Sequence, residues 1–229
     1  MKSKRPGKIK FKKVVSEQFP INPKRGGGIV KIDAWEKEQG EVIKYSMAYI
    51  NHLIFSGDNG RVLGYDNAHN FHHRHYLGEI TELDDFTSYY ELVERFEKEN
   101  KGVHKMTIEI KPGGLSDFFV SAKETAKEID EGRKLTPKNT IWIDPTDLMA
   151  ILKPERTKLI QYLRKKKKVV FSELMLDMHR TPVSLNNDLK ILSQYQLVNI
   201  FKESNPGHGV HKVIEATFGD EKIEFKAVL

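Results

Sequence analysis

The chain has no cysteine, which excludes a disulfide framework, a thiolate-ligated zinc site and a thiol nucleophile together. It also lacks any run of about eighteen apolar residues, and the basic start Met1-Lys2-Ser3-Lys4-Arg5 continues into further lysine rather than an apolar segment. Neither a membrane span nor a secretory leader is expected, so the expected location is cytoplasmic. The run Gly26-Gly27-Gly28 is not followed by the Gly-Lys-Ser/Thr of a phosphate loop and reads as a flexible turn. No internal repeat is visible. What is present is ordinary for a folded protein: 229 residues, 31% charged and 38% hydrophobic, enough for two compact domains. A net charge of +6 favours a polyanionic partner such as nucleic acid.

Lysine dominates residues 2–13, which read as a basic arm or an edge strand. Residues 29–54 are rich in β-branched and aromatic side chains and are interrupted at Gln39-Gly40, which predicts two strands. In the second, Ile43, Tyr45, Met47 and Tyr49 fall on one face, leaving Lys44, Ser46 and Ala48 on the other. Ser56-Gly57-Asp58-Asn59-Gly60 is a hairpin turn, since Asn-Gly supplies the positive φ angles of a tight reversal. A strand over 61–66 follows, and then a helix capped by Asp85 or Thr87 that runs to about residue 100 with Tyr89, Leu92, Val93 and Phe96 inward. The charged, glycine-terminated stretch Lys98–Gly102 is the expected domain boundary. Beyond it come a strand over 106–110, a turn at Pro112-Gly113-Gly114, a helix over 116–131, and a short strand at Ile141-Trp142-Ile143.

Between strand and helix lies Tyr65-Asp66-Asn67-Ala68-His69-Asn70-Phe71-His72-His73-Arg74-His75, which holds four of the nine histidines in one heptapeptide. Imidazole serves as general base or acid near neutral pH, and Arg74 or Lys44 could stabilise charge on a phosphorane. These are the parts of a metal-independent ribonuclease, with Asp66, His72, His73, Arg74, His75 and Lys44 as its candidate residues and no cofactor required. If His73-Arg74-His75 is extended, its histidines share a face and Arg74 points away. Three other readings stay open. Asp66 with two of His69, His72, His73 and His75 could bind zinc or manganese. The histidines could be structural donors around an Asp66-Asn67 turn. The loop could be a sequence-neutral RNA surface with Tyr65 or Phe71 stacking on bases.

The last third has a different pattern. Residues 154–166 form a predicted helix with Leu159, Ile160 and Leu163 inward; Ser172 caps a second, and His179-Arg180 make the turn to a third. Thr181 caps that helix and Pro182 occupies its first turn. Leu185, Leu189 and Leu192 then face inward, while Ser184, Asn186, Asn187 and Lys190 face out. Such an outer face suits the major groove, so Arg180, Thr181, Ser184, Asn186, Asn187 and Lys190 are candidate DNA contacts. Residues 197–202, the turn Asn205-Pro206-Gly207, residues 210–217 and the alternating Ile223, Phe225, Ala227 and Leu229 read as a β wing. The fold class expected is α+β: a small antiparallel sheet with a helix, followed by a winged helix-turn-helix domain. Its expected divisions are 1–102, a connecting and neutralising segment 103–146, and 147–229.

Residues 45–96 resemble TumE-like toxins, through Tyr65-Asp66-Asn67, the pair His73 and His75, and the closing acidic helix. Residues 104–229 resemble prokaryotic winged-helix regulators that include TumA-like antitoxins, through Leu152-Lys153-Pro154-Glu155-Arg156, Ser172-Glu173-Leu174, Asn187-Asp188-Leu189-Lys190-Ile191-Leu192 and Leu197-Val198. The two resemblances together imply a fused toxin–antitoxin protein. They imply an RNA substrate for the first part and operator DNA for the second. They further imply an intramolecular toxin–antitoxin contact and a homodimer, with no membrane partner. A transcription regulator with a ligand- or metal-sensing first domain, and a metal-dependent nuclease, are the rival readings.

Overall fold

Strand alternation beginning at Val15 organises the structure, a computed structural model that describes residues 11–37, 42–68, 71–105, 114–205, 209–219 and 223–226. In β1 (Phe11–Pro20), Val15, Glu17 and Phe19 are buried and the residues between them are half-buried. β2 (Ile29–Lys37), β3 (Val42–Ile50), β4 (Arg61–Asp66), β5 (His73–Tyr76) and β6 (Glu79–Glu82) continue an antiparallel ladder. Ile32 pairs with Met47 and Met47 with Tyr65, which fixes one apolar face across three strands. The turn before β4 places Asn59 and Gly60 at φ 53° and 82°, and Leu77-Gly78 makes the two-residue β5–β6 loop at φ 48° and 89°.

On that apolar face lie α1 (Tyr89–Lys105) and α2 (Leu115–Asp130). Leu92, Val93 and Phe96 meet Leu115, Phe118, Phe119, Ala122 and Ala126 in a core shared with Tyr45, Tyr49, Leu63 and Tyr65. Ser88 caps α1, its hydroxyl accepting from the Glu91 amide at 3.1 Å. The Asp130 carboxylate, at the end of α2, accepts from the amides of Tyr89 and Tyr90 at 2.8 and 2.9 Å. β7 (Lys138–Trp142) runs parallel to β1.

The second unit spans Asp144–Ile223. It comprises α3 (Pro145–Ile151), α4 (Pro154–Lys166), β8 (Lys168–Val170), α5 (Phe171–Asp177), α6 (Pro182–Gln194), β9 (Val198–Asn205) and β10 (Gly209–Ala216). Its three strands pair in the order β8-β10-β9. Leu159, Leu163, Leu174, Leu185, Leu189 and Leu192 are all fully buried, as their helical spacing requires. The inner side of α6 also carries Asp188, held by Arg156 at 2.7 Å and Arg180 at 2.6 Å.

The chain then returns to the first unit. β11 (Glu224–Lys226) pairs in parallel with β7, and the Ile143 amide donates to Lys226 O at 2.8 Å. The first sheet is therefore eight-stranded, in the order β11-β7-β1-β2-β3-β4-β5-β6, and the first unit comprises 1–143 and 224–229. The α+β class holds, with six α-helices among the described residues. Several expectations change. The sheet is large rather than small, and the boundary expected after 102 falls inside α1. The segment 103–146 contributes α2 and β7 to the first core instead of standing apart. Phe225 lies in the first sheet and not in a wing. Residues 2–10, the strand expected at 106–110, Pro112-Gly113, Pro206-Gly207, Ala227 and Leu229 lie outside the described residues.

A buried carboxylate explains why α2 and β7 belong to this core. Glu17 is fully buried and accepts from the Ser121 hydroxyl at 2.9 Å and from Trp142 Nε1 at 2.9 Å, with Lys138 Nζ 3.8 Å away. One side chain on β1 thus joins α2 and β7, which sequence separates from it by more than a hundred residues. Glu17→Ala removes the acceptor of the buried Ser121 hydroxyl and Trp142 Nε1, and urea unfolding followed by fluorescence of Trp35 and Trp142, both in the first unit, should show a loss of about 3–5 kcal/mol. The exposed pair Lys101–Glu97 provides the contrast: Lys101→Ala should cost no more than about 0.5 kcal/mol.

Candidate functional site

The β4–β5 register divides the histidine-rich segment between the two faces of the sheet. Asp66 pairs with His73, Tyr65 with Arg74 and Gly64 with His75. Because side chains alternate along a strand, Asp66, His73 and His75 share the face away from α1 and α2, and Arg74 shares the helix-covered face with Tyr65.

On the first face, His73 Nε2 stands 2.9 Å from Asp66 Oδ1 and His75 Nε2 stands 3.3 Å from Asp66 Oδ2. His73 Nδ1 lies 3.1 Å from the Phe71 carbonyl oxygen, which fixes it as the donor there, and the two imidazole rings are 4.7 Å apart. The Arg61 guanidinium donates to Asp66 Oδ2 at 2.8 Å and to Asp58 Oδ2 at 2.7 Å, bridging the two carboxylates. Its stem crosses Gly64, where an added Cβ would fall 2.7 Å from Arg61 Cδ and 3.0 Å from Met47 O. Burial raises the Asp66 pKa, but the Ala68 amide, His73 and Arg61 outweigh it and hold the carboxyl below its ordinary range. The hydrogen bond from Arg61 does the same for Asp58. Burial, and after it the Arg61 charge, push the His75 imidazole below its ordinary value. Asp66, His73 and His75 are 6%, 2% and 4% exposed. One donor atom from each lies within 4.8 Å of the others, so among the described residues these three form a group that could hold a metal ion.

His72 belongs to the other face. Its ring stacks on Phe86 at 3.7 Å between centroids and more distantly on Tyr45 at 5.6 Å, and its Nδ1 is 2.9 Å from the Tyr45 hydroxyl. Asn67 steadies this corner, its Oδ1 accepting from the Tyr45 amide at 2.9 Å. Burial and the neighbouring His73 lower the His72 pKa. Burial raises that of Tyr45, which keeps its phenol protonated. Two residues along the strand, Arg74 donates to Glu99 Oε2 through Nε at 2.8 Å, and the Tyr65 hydroxyl donates to Glu99 Oε1 at 2.7 Å. His72, Arg74 and Glu99 are all half-buried.

The six residues expected at the first site are thus distributed rather than joined. Asp66, His73 and His75 form one cluster and His72 and Arg74 lie on the opposite side. Lys44 sits with its ammonium 5.1 Å from the Trp35 ring, beside Lys13, a cation–π position on β2. His69 lies outside the described residues. Glu99, Tyr45, Arg61 and Asp58 were not expected. Glu99 follows Leu92 and Phe96 around α1, so helical spacing alone could have found it; Asp58 and Arg61 were hidden in a stretch that reads as turn chemistry.

In the second unit, Thr181 caps α6, its hydroxyl accepting from the Ser184 amide at 3.3 Å. Asn186 Oδ1 accepts from Lys212 Nζ of β10, and Asn187 and Lys190 are exposed, with Ser184 half-buried. Arg180 departs from its expected role: its guanidinium turns inward to Asp188 and the Ser184 hydroxyl, as a helix-to-turn brace.

Lowered imidazole values give the pH dependence a definite sign. Below about pH 6.5 the unfolded chain takes up protons that folded His72 and His75 resist, so stability falls as pH drops from neutrality. The depressed carboxyls of Asp66 and Asp58 act in the same direction at lower pH, as the unfolded carboxylates protonate first. Urea midpoints measured with a chelator at pH 7.5, 6.5 and 5.5 should decline in that order, and His72→Gln should flatten the decline.

No curated protein and no solved structure matches the chain. Residues 17–104 match the family model described as toxin TumE. The match runs from β1 to the end of α1 and takes in both histidine clusters, while α2, β7, β11 and the whole second unit lie beyond it. Over residues 17–104 the chain is thus similar to the TumE toxin family.

Proposed function

We propose that the chain is a toxin–antitoxin fusion in which the TumE domain cleaves RNA at the helix-covered face of its sheet. In this reading the second unit is a winged helix-turn-helix that neutralises it and binds operator DNA. The observation that carries the catalytic part is the contrast in exposure. His73 and His75 are too buried to touch RNA, whereas His72 is half-exposed and shares its face with Arg74 and Glu99. His72 is then the general base. Its lowered pKa keeps the ring neutral at pH 7, and Tyr45 fixes its orientation through Nδ1. Deprotonating a ribose 2′-hydroxyl lets that oxygen attack the adjacent phosphorus as the P–O5′ bond breaks, and the leaving oxygen takes a proton from solvent water, which gives a cyclic phosphate and a 5′-hydroxyl. Arg74, aimed by Glu99, offsets the charge that gathers on the phosphoryl oxygens.

For the second unit the reading rests on three features. α5 and α6 meet through a short turn, α6 exposes Asn187 and Lys190, and the hairpin β9–β10 that follows pairs with β8 in a three-stranded sheet. Regulators of this build pair on two half-sites, so a homodimer is part of the proposal. A tether gives the neutralising contact an effective concentration of about a millimolar.

The first test replaces residues 144–223 by a glycine–serine linker of about twelve residues, the length a parallel crossover needs. Induced expression should arrest growth and leave cleaved transcripts, with relief by co-expressed 144–223. His72→Ala should slow cleavage by about 100–10,000-fold, and unharmed cells with intact RNA would sink the ribonuclease reading. For DNA, Asn187→Ala should weaken operator binding by about 1–3 kcal/mol. Arg180→Ala should instead lower the stability of the second unit, because it removes the partner of Asp188 Oδ2 in the core.

A further inference from the structure

We propose that Asp66, His73 and His75 bind one divalent transition-metal ion, zinc foremost, on the sheet face opposite His72 and Arg74. The inference is independent of the ribonuclease reading, which uses none of these three residues.

Ring orientation is the first argument. Both imidazoles turn Nε2 toward the same carboxylate, at 2.9 Å and 3.3 Å, and turn Nδ1 toward an outer acceptor. For His73 that acceptor is the Phe71 carbonyl oxygen at 3.1 Å, and for His75 it is Asp58 Oδ2 at 3.4 Å. His73 has the arrangement of a metal-binding histidine: its outer N–H donates to a carbonyl, which fixes the tautomer and leaves the inner nitrogen's lone pair for the ion.

Hydrogen bonding is the second. His75 is 4% exposed, yet neither Nδ1 nor Nε2 has a hydrogen-bond partner of good geometry. A buried imidazole with a purely structural role would have its nitrogens satisfied. An ion at Nε2 supplies the missing inner partner.

Spacing and ligand type agree. Two ligands about 2.0–2.1 Å from a tetrahedral ion sit roughly 3.3 Å apart; here His73 Nε2 lies 2.9 Å from Asp66 Oδ1 and His75 Nε2 3.3 Å from Asp66 Oδ2, and one donor atom from each of the three residues falls within 4.8 Å of the others. Two imidazoles and a carboxylate suit zinc, manganese, iron or cobalt better than magnesium or calcium. Arg61 shares Asp66 Oδ2 and bridges to Asp58, so the surrounding charge of two carboxylates and one guanidinium is minus one, which favours a cation. Bound there, the ion would join Asp66 at the end of β4 to His73 at the start of β5. It would thus close the base of the loop that carries His72.

The full-length chain, made without a polyhistidine tag and stripped with chelator, is dialysed against zinc and assayed by elemental analysis. One zinc per chain is expected, with cobalt giving the intense visible bands of a low-coordinate imidazole site. His75→Ala should abolish retention, Asp58→Asn should weaken it about 10–100-fold, and His72→Ala should leave it unchanged. X-ray absorption of the zinc-loaded unmutated chain should report two imidazole ligands, a readout that does not depend on a variant folding. The proposal is overturned if no zinc is retained at micromolar concentration. It is also overturned if magnesium raises the thermal midpoint as much as zinc does, if His72→Ala removes the metal, or if His75→Ala keeps it.

Discussion

The pleat of β4 and β5 is the constraint on which the rest of the site depends. Successive side chains on a strand must take opposite faces, so a run of adjacent histidines cannot form one cluster. His73 and His75 are forced onto the polar face with Asp66, and His72 and Arg74 onto the face beneath the helices. Each group then finds partners from elements that only the fold brings near. Asp58 comes from the turn before β4, Arg61 from the first position of β4, and Glu99 from α1. Two chemically distinct environments, a buried one and a half-exposed one, thus arise from a single short hairpin.

Local pattern carried much of this. The alternation of Tyr45, Met47 and Tyr49, the positive φ angles at Asn59-Gly60 and the buried Leu185, Leu189 and Leu192 were all legible because each depends on near neighbours along the chain. The opposition of Arg74 to His73 and His75 followed from the same reasoning. What sequence did not disclose is non-local. β11 has only three residues and finds its place by pairing with β7, and a strand that short has no period of its own. α2 and β7 looked like a connector because the carboxylate that binds them, Glu17, sits about a hundred residues earlier. β6 is exposed along its length and so lacks the apolar signature of a strand.

Charge played an unexpected part in the second unit. Asp188 lies on the inner side of α6 among leucines, and Arg156 from α4 and Arg180 from the turn both reach it. An ion-paired triad of this kind favours one arrangement of helices over alternatives, because any slip leaves a buried charge without its partner. Arg180, just before α6, reads as a DNA contact in sequence, and only the position of Asp188 reveals the other use.

The route of the chain through β7 and β11 has its own consequence. Ile143 leaves the large sheet and Glu224 re-enters it beside the same strand, so the intervening unit is inserted and not appended. A protease that nicks one connection leaves the inserted unit covalently held by the other. Physical separation of the two units therefore requires two scissions, or one scission together with peeling of a three-residue edge strand from its neighbour.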